Sequence, residues 1–148
     1  MKITNRKARH EFYLYDSIEA GIQLAGPEVK SVKNGRIKLD ASFVRMINGE
    51  AFLINADIPL YLASRPNNYD PNRTRKLLLH KRQLVALEIK TSQKKLTVVP
   101  VSCYTKHGLI KVEIALAKRK KNIDKREELR RKDLERETER AIRQKDKS

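Results

Sequence analysis

The chain has 148 residues, with 34 Lys or Arg against 18 Asp or Glu, so its formal net charge is +16. This length fits one domain with a tail, and 39% hydrophobic residues are enough for a small core. No apolar run approaches the ~20 residues of a membrane span, and no apolar segment of a secretory signal follows the basic start. The single cysteine excludes an internal disulfide and predicts a cytoplasmic protein. The positive charge predicts a polyanionic partner, with nucleic acid favoured over an acidic membrane.

The first part of the chain is predicted to form strands interrupted by one short helix. Residues 11–15 and 18–24 are β-prone runs. Residues 27–35 begin with proline and end with glycine, an asymmetry that predicts a short helix. Apolar residues alternate over 37–43 and then change phase, which predicts a strand with a bulge.

Two hairpins are predicted further along. Asn48-Gly49 favours a two-residue turn, because both central positions of a type I′ turn need positive φ. It would join residues 42–47 to 50–55. A second hairpin would join residues 96–104 to 109–117 through a loop at 105–108, and the last of these runs has the alternation of a half-buried strand.

A second helix is predicted over residues 74–92. Asp70-Pro71 offers its cap and first turn, and Leu77 and Leu78 begin its apolar face. Residues 59–72, rich in proline and asparagine, are expected to form an exposed loop. The elements together predict a mainly β fold, a small antiparallel β-barrel with helices on its outside.

The charge is unevenly distributed along the chain. Residues 1–117 carry 20 basic and 10 acidic residues, whereas 22 of the 31 residues in 118–148 are charged. The few large apolar residues of 118–148 are too irregularly spaced for a core-facing stripe. We therefore expect a domain over 1–117 and a basic tail over 118–148 that is disordered when free and helical against a partner. The alternative is a tail that only aids solubility.

The sequence nominates no catalytic or metal site. His10, His80 and His107 do not stand at metal-ligand spacing with Cys103. No glycine-rich phosphate loop is present, and no carboxylate pair is nominated for acid–base work. These observations predict a binding protein without cofactor or metal, and not an enzyme.

Basic residues cluster in a pattern typical of RNA binding. Arginine and lysine bind phosphates, and nearby aromatic rings can stack on unpaired bases. The alternative for Phe12 and Tyr15, which follow the first cluster, is a place in the core. The clusters are residues 6–10 (RKARH), Arg73 with Arg75 and Lys76 followed by Lys81 and Arg82, and residues 118–121 (KRKK).

A set of ordered motifs resembles the SsrA-binding protein family, also called small protein B. Residues 70–80 (DPNRTRKLLLH) form its most specific block. The set covers roughly residues 5–126. The other matching segments are 5–10 (NRKARH), 19–21 (EAG), 28–31 (EVKS), 48–53 (NGEAFL), 111–113 (KVE) and 117–126 (AKRKKNIDKR).

The resemblance implies a fold and a function. The fold would be a closed β-barrel of oligonucleotide-binding type with flanking helices. The protein would bind the tRNA-like domain of transfer-messenger RNA and help deliver it, with elongation factor Tu as carrier, to stalled ribosomes for trans-translation. We expect a monomer. A structural ribosomal protein with a basic tail remains an alternative, and the missing carboxylate or metal cluster argues against a nuclease.

The resemblance also implies RNA-binding residues. Glu19, Leu78 and Lys111 match positions linked to transfer-messenger RNA binding. Lys111 would contact phosphate, whereas Glu19 would accept hydrogen bonds from ribose or base groups, or orient a cation. The alternative role for Glu19 is a structural ion pair, and the alternative for Leu78 is a place in the core. The N-terminal motif adds Asn5, Arg6 and His10.

In the tail, the resemblance implies contacts with small-subunit RNA in the decoding region. Arg119 stands where the family usually has glycine, and Ile123 replaces a usual aromatic residue or histidine. Arg119 adds a cation and removes the backbone freedom that glycine would give. Ile123 has no aromatic ring, so stacking on a ribosomal base at this position is in question. The implied contact residues are Lys118, Lys120, Lys121, Asp124, Lys125 and Arg126.

Overall fold

A computed structural model describes residues 1–60 and 68–147, with side chains up to residue 144. The chain divides into two compact units, Met1–Lys118 and Arg119–Ser148. No helix in the described part of the chain is long and apolar enough to cross a membrane.

Seven strands and four helices make up the described structure. Three helices lie between strands of the first unit, and the fourth forms most of the second unit. In chain order the elements are β1 (Lys2–Thr4), α1 (Arg6–Glu11), β2 (Phe12–Ile22), α2 (Gly26–Lys33), β3 (Phe43–Ile47), β4 (Glu50–Ile54), β5 (Arg75–Leu78), α3 (Lys81–Lys94), β6 (Thr97–Lys106), β7 (Leu109–Arg119) and α4 (Asn122–Lys147).

The strands form one sheet in the order β1-β6-β3-β4-β5-β2-β7, and β6 also pairs with β7. The pairing therefore returns to its start, and β6, β3, β4, β5, β2 and β7 form a ring. β6 is shared, because β3 pairs near its beginning at Val98 and β1 pairs near its end at Ser102–Tyr104. The prediction of a mainly β fold with flanking helices is confirmed.

Both predicted hairpins are present. Asn48 and Gly49 have φ of 50° and 78° and join β3 to β4. His107 and Gly108, with φ of 51° and 77°, join β6 to β7. The second turn has two residues and not the predicted four, since Lys106 pairs directly with Leu109.

Several predicted strands differ in extent. The runs at 11–15 and 18–24 form one strand, β2. Residues 37–42 contain only a single bridge, between Lys38 and Asp57, although Ile37 and Leu39 are buried. The predicted bulge near residue 43 is absent from the β3–β4 register, and a shift occurs instead between Pro100 and Ser102 on β6. Proline favours such an interruption because it has no N–H for the ladder.

The helix predicted from residue 74 begins later. Residues 75–78 form β5, which pairs with β4 on one side and with β2 on the other. Leu77 is buried and Leu78 exposed, the alternation of a strand. Sheet pairing therefore overrides the cap signal of Asp70-Pro71, and α3 begins after its N-cap, His80.

The core contains residues of the strands together with Val32 of α2 and Leu87 of α3. Ile110, Val112, Ile114 and Leu116 on β7 are buried, but the predicted alternation holds only up to Ile114, because Ala115 is buried as well. Ala117 is also buried, in a small cluster with Ala8 and Val99 against which Phe12 and Leu14 pack. Helix α1 thus covers this end of β7. Of the two aromatic residues considered for the core, Phe12 is half-buried whereas Tyr15 is 50% exposed.

A buried ionic network joins α2 to β5. Both Glu28 and Arg75 are inaccessible, and Nε of Arg75 donates to Oε2 of Glu28 at 2.9 Å. Arg73 also pairs with Glu28, and Tyr69 donates to the carbonyl of Ile58 at 2.6 Å. Burial alone would raise the pKa of Glu28, but hydrogen bonds from Arg73, the Ala25 N–H and Arg75 lower it to about 2.

The ion pairs correct the interpretation of one basic cluster in part, since its members Lys81 and Arg82 are exposed on α3. Arg75 has no surface for phosphate, Arg73 is committed to Glu28, and Lys76 pairs with Glu50 at 3.1 Å. Of the predicted loop at 59–72, residues 61–67 lie outside the described residues. The described end of that loop is partly buried, because Tyr69 contacts Glu28 and Arg75.

The second unit is dominated by α4, whose 26 residues span about 39 Å at 1.5 Å per residue. Its apolar side chains Ile123, Leu129, Leu134 and Ile142 are all exposed. Within the unit, Glu128 pairs with Lys120 and, at 3.9 Å, with Lys132. Disorder of the free tail stays a prediction.

Candidate nucleic-acid interface

Three predicted RNA-binding residues meet in one groove of about 410 Å³. Glu19 lies on β2, Leu78 on β5 and Lys111 on β7. β2 runs between the other two strands, which is why residues so distant in sequence become neighbours. His80, the N-cap of α3, and Gln83 in the first turn of that helix complete the wall.

Leu78 projects into the groove with 53% of its surface exposed. It lies opposite Gly21 in the pairing of β2 with β5. A Cβ at Gly21 would lie 3.1 Å from Cβ of Leu78, so the missing side chain leaves space for this leucine. The core alternative for Leu78 is wrong, and its apolar surface is available to a ligand.

Lys111 supplies the positive charge of the groove. Its side chain is half-buried and forms no ion pair within the described part of the chain. Its charge contributes to lowering the pKa of Glu19, behind larger contributions from Tyr104 and Lys106. An ammonium group without an internal partner is suited to a phosphate.

Glu19 is held by residues that the sequence did not nominate. Tyr104 donates its hydroxyl to Oε2 of Glu19, and Nζ of Lys106 lies 3.5 Å from the same oxygen. The hydrogen bond from Tyr104 is the main cause that lowers the pKa of Glu19. Glu19 therefore does form an ion pair, a long one with Lys106. Its other oxygen, Oε1, accepts no hydrogen bond from any described residue.

The N-terminal motif does not reach this groove. Asn5 is 2% exposed: its Nδ2 donates to the carbonyls of Leu39 and Pro100, and its Oδ1 accepts from Ala8 N–H. Direct RNA contact by Asn5 is thus contradicted, because its polar atoms cap and anchor α1. Arg6 and His10 are exposed on α1. This helix packs near Ala117, about 20 Å along β7 from the groove.

A second groove, of about 630 Å³, lies near the other end of β2 and β7. Lys118 lines it together with Tyr15 and with lysines from the end of α3, Lys90 and Lys94. Lys90 also lies 3.5 Å from Asp16. Cations near the last turn of a helix offset its negative end, which gives the α3 lysines a structural role.

The predicted tail contacts fall in two groups. Lys120 is almost inaccessible and is paired with Glu128, whose pKa the hydrogen bond lowers, so its charge is neutralised within the unit. The others are at least partly accessible: Lys118 at the end of β7, Lys121 and Arg126 are exposed, and Asp124 and Lys125 are half-buried. Ile123 is 62% exposed.

In residues 1–60 and 68–147, no group of three His, Cys, Asp or Glu side chains lies close enough together to hold a metal ion. Cys103 is fully buried, and burial raises the pKa of its thiol to about 12. It is therefore a packed side chain.

The comparison with known proteins identifies the family. A family model described as SmpB protein matches residues 2–144. The chain belongs to the SmpB family. Proteins named SsrA-binding protein from Shouchella clausii and Enterococcus hirae are 52% and 50% identical to it, over 95% and 93% of this chain and 90% of each relative.

A solved SmpB-family structure is also similar. It is described as "tmRNA-SmpB: a journey to the center of the bacterial ribosome". That chain is 43% identical to this one, with a TM-score of 0.68 over 82% of this chain and 85% of its own length.

Sequence reasoning nominated Glu19, Leu78 and Lys111, which line one groove, but it did not nominate Tyr104 and Lys106, which contact Glu19. The predicted four-residue loop would pair Tyr104 with Leu109. The observed two-residue turn pairs it with Lys111 instead. The signal available was His107-Gly108, whose composition favours a tight turn with positive φ.

Proposed function

We propose that this protein binds the tRNA-like domain of transfer-messenger RNA and helps bring it to stalled ribosomes for trans-translation. Membership of the SmpB family supports this function, as do relatives named SsrA-binding protein. The observation that carries it is the convergence of Glu19, Leu78 and Lys111 in one groove.

The groove combines three kinds of contact that suit a folded RNA. Lys111 binds a phosphate as a point charge. Leu78 offers apolar surface to an unstacked base. Glu19 repels phosphate and accepts a hydrogen bond from a ribose or base group. Together these side chains favour one orientation of the RNA, which the net positive charge alone would not do.

The ring of strands acts as a closed barrel of oligonucleotide-binding type. The pairing of β6 with β7 supports this barrel, because it joins the two ends of the run of strands from β6 to β7. The helices α1, α2 and α3 are then the flanking elements. Such barrels bind nucleic acid on strand surfaces. The groove lies on the surface of three adjacent strands, β5, β2 and β7.

The tail binds ribosomal RNA near the decoding region. In free solution it frays, because its apolar residues are exposed and its ion pairs are weak. Ribosomal phosphates would compensate its self-repulsion and favour the helix. The residues for this contact are Lys118, Lys121, Asp124, Lys125 and Arg126, with Lys120 joining them only if its pair with Glu128 opens.

The protein acts as a monomeric adaptor in the cytoplasm and not as an enzyme. Elongation factor Tu, bound to the charged RNA, is the carrier that accompanies it. The groove has two charged side chains of opposite sign and no second carboxylate, an arrangement that suits binding.

The decisive experiment is sequencing of the RNA that copurifies with the protein from its own cell. One abundant small RNA with a tRNA-like end is expected. The purified protein should also prefer that domain to random RNA of equal length, and absence of any preference would contradict the proposal. A structural ribosomal protein would instead remain stoichiometric on all washed subunits.

A further inference from the structure

We propose that Tyr104 is a positioning residue for Glu19, holding its carboxylate so that Oε1 accepts a hydrogen bond from a donor group of the bound RNA. The donor is a ribose 2′-hydroxyl or a base N–H. This inference rests on the proposed function and names one contact that the groove makes.

The hairpin of β6 and β7 brings the required groups together. Tyr104 on β6 lies opposite Lys111 on β7, and its hydroxyl donates across to Glu19 on β2. Lys106, two residues along β6, lies 3.5 Å from the same oxygen of Glu19. Both interactions use Oε2, so the carboxylate is held by one oxygen while Oε1 keeps its lone pairs for a ligand.

The charges decide what that ligand is. An ionised carboxylate has no proton to donate, so Glu19 only accepts hydrogen bonds. Phosphate oxygens are also acceptors and are negatively charged, so they are excluded from Oε1 and directed to Lys111. RNA offers donors of the required kind in its 2′-hydroxyls and the N–H groups of its bases.

Protonation keeps these roles separate at neutral pH. Burial, followed by the hydrogen bond to Glu19, raises the pKa of Tyr104 to about 12, so the tyrosine remains a donor. The same hydrogen bond lowers the pKa of Glu19, so the carboxylate remains an acceptor.

The first test is Tyr104→Phe, which removes the hydroxyl and keeps the ring. Affinity for the tRNA-like domain should fall about tenfold, the effect of a hydrogen bond to a charged group. In a Glu19→Ala background the same change should have no further effect, since the hydrogen-bond acceptor that Tyr104 positions is gone. Tyr13→Phe is the matched control, because its hydroxyl lies on a residue about 20 Å along β2 from Glu19.

The pH dependence of binding separates positioning from a merely structural role. Binding should be lost on acidification as Glu19 gains a proton. In Tyr104→Phe the pKa of Glu19 returns towards its ordinary value, so this loss should occur at a higher pH than in the unmodified protein. An unchanged pH profile would overturn the positioning role even if affinity falls.

Nucleotide-analogue interference distinguishes the two sources of the donor. RNA pools with 2′-deoxy nucleotides, or with base analogues that each lack one N–H donor of the natural base, are selected for binding to the full-length protein. Interference at one position that disappears with Glu19→Ala identifies the donor as a 2′-hydroxyl in the first kind of pool or as the missing base N–H in the second. If Glu19→Ala suppresses no interference in either pool, the donor assignment is wrong.

Failure of this inference is distinguishable from failure of the proposed function. Normal binding by both Glu19→Ala and Lys111→Ala would remove the groove from RNA recognition altogether. Weak binding by both variants, with normal binding by Tyr104→Phe, would overturn only the role of Tyr104.

Discussion

The side chains of the groove act by different physical means. Lys111 contributes a charge without an internal partner, Leu78 an exposed apolar surface and Glu19 an oriented acceptor. Each therefore predicts a different experimental signature when it or its neighbour is changed.

Loss of the Lys111 charge should appear in the salt dependence of binding. Lys111→Ala should weaken binding and reduce the slope of log affinity against log salt by about 0.7–0.9, the value for one phosphate contact. A salt titration with the tRNA-like domain measures this slope. Lys33→Ala, an equal charge change at an exposed position on α2, is the control. A slope unchanged from that of the unmodified protein would remove Lys111 from the site.

The missing side chain at Gly21 is required for the position of Leu78. Gly21→Ala would place a methyl group 3.1 Å from Cβ of Leu78, so the leucine must shift. RNA affinity should fall several-fold, while the free energy of unfolding changes by about 1 kcal/mol. Binding titrations and urea unfolding measure the two effects.

Two further variants make this test specific. Gly26→Ala is the control, because a Cβ there meets nothing within 4 Å. In a Leu78→Ala background, Gly21→Ala should cause no further loss of affinity. A further loss there would show that Gly21 acts by another route.

Among the elements, those governed by local turn chemistry were predictable and those governed by tertiary pairing were not. Asn48-Gly49 predicted its hairpin, because positive φ at two successive residues is a local requirement. β5 was mistaken for the start of a helix, because its identity depends on pairing with β4 and β2. Helix α1 was missed since its cap, Asn5, is anchored by carbonyls 34 and 95 residues away.

The same division applies to the candidate site. A motif resemblance sufficed to nominate Glu19, Leu78 and Lys111, but the residues that hold them depend on strand register. Tyr104 reaches Glu19 across 85 residues of sequence. Arg75 looked like a phosphate-binding residue because its buried partner, Glu28, lies 47 residues away.

The buried network between α2 and β5 predicts acid sensitivity. The pKa of Glu28 is about 2 when folded, against an ordinary value of 4.5, so its contribution to stability is complete above pH 4.5. As pH falls from 4.5 towards 2, about 3 kcal/mol should be lost. Urea unfolding at a series of pH values measures this loss.

Two variants test whether this loss of stability at low pH comes from Glu28. Glu28→Gln should be less stable at pH 7, because it leaves Arg75 buried without its charged partner. It should also lack this part of the pH dependence. Glu50→Gln, which alters a half-exposed carboxylate, should retain it. Equal pH profiles for Glu28→Gln and the unmodified protein would contradict the assignment.

At the scale of the whole molecule, the two compact units have different compositions. The first has a hydrophobic core to which its strands and the helices α2 and α3 contribute. The second has a charged helix whose apolar residues are exposed. A core can support a precise groove, whereas a charged helix is suited to contacts with phosphates along its length.

This difference predicts that binding and ribosome rescue can be separated. Deleting residues 119–148 should leave affinity for the tRNA-like domain within a few-fold, because the groove lies in Met1–Lys118. Peptide tagging on a message without a stop codon should be abolished in a reconstituted translation reaction. Simultaneous loss of RNA binding and tagging would contradict this division of labour.

The burial of Cys103 also has a practical consequence. It is the chain's single cysteine, and it lies on β6, the strand shared by the most pairings. Alkylating reagents and peroxide attack the thiolate, a form that the folded protein neither populates nor exposes. The rate of thiol labelling therefore reports how often the molecule opens, without any introduced probe.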